Sequence, residues 1–93
     1  MPSFRNKPID LVVDVRSKIE FWLGHLHGAT CIPVDKVAEA VPKLDNVTKD
    51  SRILVYCASG ARSAAAAGVL KSLGYRRVID GGGIDSARQG FEA

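Results

Sequence analysis

Between Ile53 and Ser63 the chain changes character twice, and few folds accept the result. Ile53, Leu54, Val55 and Tyr56 form an apolar, strand-favouring run that ends at Cys57. Four small residues follow (Ala58, Ser59, Gly60 and Ala61), and then Arg62 and Ser63 lead into the helical run Ala64 to Leu73. A parallel strand that turns this quickly into a helix sets the sulfur of its last residue under the helix N-terminus. Unpaired backbone N–H groups and the positive end of the dipole favour an anion there. A thiol in that place is expected to have a depressed pKa and to be partly thiolate, the nucleophilic form. The small residues let the backbone curl, with Gly60 free to take positive φ. Arg62 adds a permanent charge in a fork suited to oxyanions. Packing alone explains many cysteines at strand ends. The glycine-bearing loop, the arginine and the immediate helix together favour a reactive Cys57.

The rest of the chain reads as alternating strands and helices. Met1 to Pro8 is an extended lead-in, and Ile9 to Val15 is a β-branched run typical of a strand buried on both faces. Asp14 and Arg16 fall at its carboxyl end, where open α/β sheets assemble their sites; a charge pair sealing the sheet edge is the alternative. Ser17 and Glu20 form a capping box for a short helix, with Phe21, Trp22 and Leu23 as its apolar face and Gly24 as its stop. A turn over Gly24–Ala29 leads to a short strand, Thr30-Cys31-Ile32, closed by Pro33. His25 reads as a hydrogen-bonded turn residue and Cys31 as a small core residue. With no second Cys/His cluster, these two and His27 do not make a metal site. Val34 to Leu44 has helical spacing with Pro42 disturbing its end. After the polar loop Asp45–Ser51 and the cysteine loop, the helix presents Ala66, Val69, Leu70 and Leu73 as a buried stripe. Small Ala64, Ala65 and Gly68 are expected to let it approach the sheet, and Gly74 stops it. Arg77 to Asp80 is a last short strand broken by Gly81-Gly82-Gly83, and Ile84 to Phe91 is a final turn or short helix. The alternation predicts an α/β layered fold with a mostly parallel sheet. Right-handed crossovers then bring Asp14 and Arg16, the Cys57 loop and the glycine run to one side.

Composition sets the outer bounds. Ninety-three residues, 46% hydrophobic and 25% charged, suit one domain over residues 1–93 with a modest core. No apolar run approaches a membrane span, and the first ten residues lack a signal-peptide core, so a cytoplasmic protein without membrane contact is expected. Two cysteines are too few for a disulfide framework. The net charge of +3 suits small anionic substrates, without the basic block or aromatic stripe of a nucleic-acid binder. A monomer with no cofactor is expected.

Taken in order, three blocks resemble the rhodanese superfamily over Asp10 to about Gly90. The first is LVVDVR with EFWLGHLHGA and Ile32-Pro33, the second VYCASGARSAAAA, and the third GYRRVIDGGGI. The resemblance implies a three-layer α/β/α domain that moves sulfane sulfur by way of a persulfide on Cys57. The N–H groups of Ala58, Ser59, Gly60, Ala61, Arg62 and Ser63 would hold the charged sulfur, and Arg62 would assist an anionic donor such as thiosulfate. Cyanide, a thiol or a protein would accept the sulfur. Three departures stand out, one of them Ala87 where many relatives carry a tryptophan, which bears on the packing of the C-terminal segment. Ala58 replaces a larger or charged residue, which throws the loop's field onto Arg62. Gly81 replaces an acidic residue, which predicts a mobile loop. Phosphatases and arsenate reductases on this fold separate Cys and Arg by five residues, whereas four separate Cys57 from Arg62 here. A non-enzymatic interaction module is the third reading, although such relatives generally lose the cysteine.

Overall fold

The computed structural model describes residues 1–93. Its centre is a four-stranded, all-parallel sheet made of β3 (Leu11–Asp14), β4 (Thr30–Cys31), β5 (Arg52–Cys57) and β6 (Arg77–Gly83). The strand order is β4-β3-β5-β6. β5 is the most deeply placed strand: it pairs with β3 from Leu11↔Ile53 to Asp14↔Tyr56 and with β6 from Arg52↔Arg77 to Cys57↔Gly83. Side chains alternate across a strand, so the apolar runs split into two cores. Val13, Ile53, Val55, Cys57 and Val78 face α3 (Ala61–Ser72), which buries Ala66, Ala67 and Leu70, with Val37 of α2 (Val37–Ala40) packed beside them. On the other face, Val12, Leu54 and Tyr56 pack with Leu26, Phe4 and Ala87, the last from α4 (Ile84–Gly90). The result is the expected three-layer α/β/α arrangement.

Several local expectations change. The lead-in is a hairpin: β1 (Ser3–Phe4) pairs antiparallel with β2 (Lys7–Pro8) and with β7 (Phe91–Glu92). Its two turn residues, Arg5 and Asn6, both take positive φ (49° and 66°), the geometry that matches strand twist in a two-residue loop. The expected helix Val34–Leu44 is one turn of α2 between two 3₁₀ turns, Val34–Lys36 and Val41–Lys43. Pro42, lacking an N–H and restricting its neighbour, keeps the last turn tight.

The short helix after β3, α1 (Lys18–Trp22), starts at the Ser17–Glu20 capping box as expected, but it buries nothing. Ile19, Trp22 and Leu23 are 74%, 87% and 81% exposed. Five residues make too little contact for an apolar stripe, and polar ties hold this helix instead. Leu73, the residue that ends α3, is 40% exposed, and Ala64, Ala65 and Gly68 face solvent rather than the sheet. The third layer instead approaches through the glycine run. β6 continues through Gly83 with a register shift beside β5 rather than breaking at Gly81. A Cβ on Gly81 would lie 3.1 Å from Leu54 Cδ1 and 3.3 Å from Ala87 Cβ. Far from opening a mobile loop, Gly81 is what lets α4 seat on the sheet.

Asp14 and Arg16 form the one buried ion pair of the molecule's interior. The Asp14 carboxylate accepts from the Arg16 backbone N–H at 2.9 Å and from Nε and Nη2 at 3.0 and 2.7 Å. Arg16 Nη2 also donates to the Gly24 carbonyl at 2.6 Å, which ties the end of β3 to the chain leaving α1. Removing one partner of such a pair strands a buried charge and costs about 3–5 kcal/mol. Asp14→Ala is therefore expected to lower the unfolding free energy by about that amount in urea titration. A loss under about 1 kcal/mol would show the pair to be solvated like a surface bridge.

Candidate active site

β5 delivers Cys57 to the carboxyl edge of the sheet, and α3 starts four residues later. Gly60 makes the turn at φ 108°, a conformation an L side chain rarely adopts, and its N–H donates to Cys57 Sγ at 3.0 Å. The Ser63 hydroxyl, fully buried in the first turn of α3, donates to the Gly60 carbonyl at 3.0 Å and lies 3.4 Å from the Gly82 carbonyl. β6 supplies the other wall. Gly83 pairs with Cys57, and a Cβ there would come within 2.6 Å of the Ala58 carbonyl oxygen. The loop is clamped between a helix N-terminus and a strand with no side chain to push it away.

Two opposed influences act on the thiol. Burial resists ionisation. The Ser63 hydroxyl and the N–H groups of Ser63, Gly60 and Ser59 favour the thiolate and outweigh it, so the Cys57 pKa is lowered. The Ser63 hydroxyl has a single proton, which serves either the Gly60 carbonyl or the sulfur, so its help is greatest once the sulfur is charged. Cys31 goes the other way: burial first, then the Asp14 charge, raises its thiol pKa. Its Sγ sits 3.8 Å from the Arg16 carbonyl, and β4's register puts it beside Asp14.

Arg62 does not point at loop carbonyls. Both of its terminal nitrogens donate to Glu20 of α1, Nη1 to Oε1 at 2.6 Å and Nη2 to Oε2 at 3.0 Å. The same Oε1 accepts from the Ser17 N–H and hydroxyl at 3.1 Å each. The Arg62 fork and then the Ser17 cap hold the Glu20 carboxyl at about 2. With Arg62 so engaged, what lowers the Cys57 pKa is the Ser63 hydroxyl and the backbone N–H groups, not the arginine.

Of the residues singled out in the sequence, Cys57, Ser59, Gly60 and Ser63 meet at the sulfur, and Ala58 and Ala61 complete the loop around it. Asp14 and Arg16 lie at the same sheet edge, committed to each other. His25 stacks on Phe21 and its Nδ1 bonds the Phe21 carbonyl, as a turn residue. Three contributors escaped the sequence reading. Glu20 was visible only as a cap, although the Glu-Phe pair of the first block marks it. The Tyr56 hydroxyl accepts the Leu26 N–H at 3.0 Å, a bond that a tyrosine near the end of a buried strand needs. Gly83 was one of three glycines with nothing to rank it.

A parallel three-layer fold with a thiol of lowered pKa under a helix N-terminus defines the class of protein, an α/β domain with a cysteine loop after its central strand. Residues 3–85 match the Rhodanese-like domain family, and the chain belongs to it. It is 36% identical over 90 residues to a tRNA uridine(34) hydroxylase of Escherichia coli, covering 91% of this chain but only 26% of that protein. The chain thus spans about a quarter of the length of these curated relatives. Among solved structures it resembles an E. coli rhodanese with anions (TM-score 0.79, 28% identical, covering 88% of this chain and 95% of that one). It also resembles a human single-domain sulfurtransferase (TM-score 0.66, 25% identical, covering 75% and 72%).

Two measurements probe the site's construction. In a Cys31→Ser background, ultraviolet thiolate absorbance is expected to rise with a midpoint below the ordinary cysteine value of about 8.5. Adding Ser63→Ala should move that midpoint upward, since a donor to the charged form is lost; an unmoved midpoint would assign the effect to the backbone alone. Separately, Gly83→Ala must displace the Ala58 carbonyl, so it should raise the Cys57 midpoint as well. The same rise without any loss of melting temperature would place the strain in the loop rather than in the sheet.

Proposed function

We propose that this domain is a sulfurtransferase carrying sulfane sulfur on Cys57. The observation that supports it most is the Gly60 N–H on Cys57 Sγ under the N-terminus of α3, with the thiol pKa lowered. In the first half-reaction the Cys57 thiolate attacks the outer sulfur of a donor. A new S–S bond forms from the thiolate lone pair while the donor's S–S bond breaks and its electrons leave with the departing group. With thiosulfate the leaving group is sulfite, and Cys57 is left as a persulfide anion. The N–H groups of Ser59, Gly60 and Ser63 would receive the charge on the sulfur as it migrates. A thiol, a protein cysteine or cyanide then attacks the outer sulfur and restores the thiolate, a double displacement. Cys57 is only 1% exposed, which favours a single sulfur atom delivered end-on over a tetrahedral phosphoryl group. The four-residue spacing to Arg62 argues in the same direction against phosphatase or arsenate reductase chemistry.

The curated relatives favour a second reading, in which the domain serves as one part of a larger protein that hydroxylates a tRNA uridine. The chain corresponds to only 26% of that protein, and the activated Cys57 thiol bears directly on sulfur transfer, which is the primary proposal.

Incubation with thiosulfate or an organic persulfide is expected to add one sulfur atom to Cys57, seen as a mass increase reversed by cyanide. Cys57→Ser should abolish the adduct and Cys31→Ser should preserve it. Sulfur on Cys31, or brisk hydrolysis of an aryl phosphate with no sulfur adduct, would overturn the assignment.

A further inference from the structure

We propose that Glu20 sets the charge of the donor this site accepts, by neutralising Arg62 at the rim of the loop and turning the site from dianionic donors toward singly charged persulfides. The inference rests on the sulfur-transfer reading and specifies its substrate class. Both arginines that the sequence brings to the site carry a carboxylate partner. Arg16 is held by buried Asp14, and Arg62 by both oxygens of Glu20. Arg62 is the second residue of α3, in the helical turn that closes the cysteine loop, so its net charge is met by a donor that enters that loop. The pair is partly exposed, with side chains 37% and 33% accessible, so a small anion in solvent can reach it.

Glu20 is not held there by Arg62 alone. The capping box fixes it from α1 independently, through the Ser17 N–H and hydroxyl. Arg62 is therefore delivered to an anchored carboxylate, and an incoming anion must compete with that carboxylate for the guanidinium. For thiosulfate the competition is against a bidentate, charge-assisted contact, and two negative charges approach a neutral pair. The persulfide of a neutral thiol brings at most one charge. The donor arrives as R–S–S⁻ and takes up a proton from water; Cys57–S⁻ then attacks its outer sulfur, the donor's S–S bond breaks, and R–S⁻ leaves while the proton stays on the transferred sulfur. No oxidant or reductant is consumed.

Charge scaling gives the test its shape. Freeing one positive charge acts on a dianion with twice the free energy it exerts on a monoanion, so a gain of about threefold for one becomes about tenfold for the other. Glu20→Gln keeps the shape and hydrogen bonds of the cap and removes the charge. Saturation kinetics of Cys57 sulfuration are compared for thiosulfate and for the persulfide of 2-mercaptoethanol. In Glu20→Gln the KM for thiosulfate should fall about tenfold and that for the persulfide about threefold, with the maximal rates little changed. Arg62→Gln, which leaves Glu20 unneutralised, should shift the donor ratio in the opposite direction. Ser17→Ala, which weakens the cap without changing any charge, should leave the ratio as it is. An unchanged ratio in both Glu20→Gln and Arg62→Gln, with sulfur still carried on Cys57, would overturn this inference and leave sulfur transfer standing. Failure of both donors to label Cys57 in the unaltered protein would overturn sulfur transfer itself.

Discussion

Everything at the working edge of this molecule depends on the chain leaving β5 at Cys57 and entering α3 within four residues. So short a turn is possible only with left-handed backbone at Gly60, and that conformation aims the Gly60 N–H at the sulfur. The turn then needs room, which β6 provides by presenting Gly83 where any side chain would meet the Ala58 carbonyl. It also needs fastening, which the buried Ser63 hydroxyl provides by bonding the Gly60 carbonyl. These three small residues do more for the thiol than any charged one. Preorganised N–H donors cost no rearrangement when charge arrives on the sulfur, whereas a mobile side chain must first be ordered.

The two carboxylate–arginine pairs beside the loop do different work, and burial is the reason. Asp14–Arg16 is shut away from water, so each partner is hard to lose and the pair behaves as part of the scaffold. Through the Gly24 carbonyl it fixes the segment that carries α1. Glu20–Arg62 is half in solvent, where an ion pair adds roughly 0–1 kcal/mol to stability. Its weight falls on electrostatics at the entrance: it removes a net positive charge from a site otherwise ready for anions. α1 matters less as a packing element than as the platform that holds one carboxylate in place.

Exposure of Ile19, Trp22 and Leu23 follows from the same division of labour. A five-residue helix anchored by a capping box and two polar ties has no need of an apolar face against the sheet. The layers gain their contact elsewhere. Ala66, Ala67 and Leu70 pack on one side, and Phe4, Tyr56 and Ala87 on the other, with Gly81 allowing α4 to settle.

The order of strands and helices, the cysteine at a strand end, the left-handed Gly60 and the Ser17–Glu20 cap were all legible in the sequence. Each depends on residues within a few positions of one another, where propensity, period and backbone sterics act directly. The N-terminal hairpin was locally encoded too, in Arg5-Asn6, but its strands gain meaning only by pairing with β7 at the far end of the chain. The face that α3 turns to the sheet, the continuation of β6 through its glycines and the exposure of α1 were decided by tertiary packing. Alanine and glycine carry too little hydrophobic signal to choose a side. Above all, the partner of Arg62 lies 42 residues away in sequence. A charge reads the same along the chain whether it will meet a substrate or a carboxylate, and only the folded arrangement of α1 beside the loop decides which.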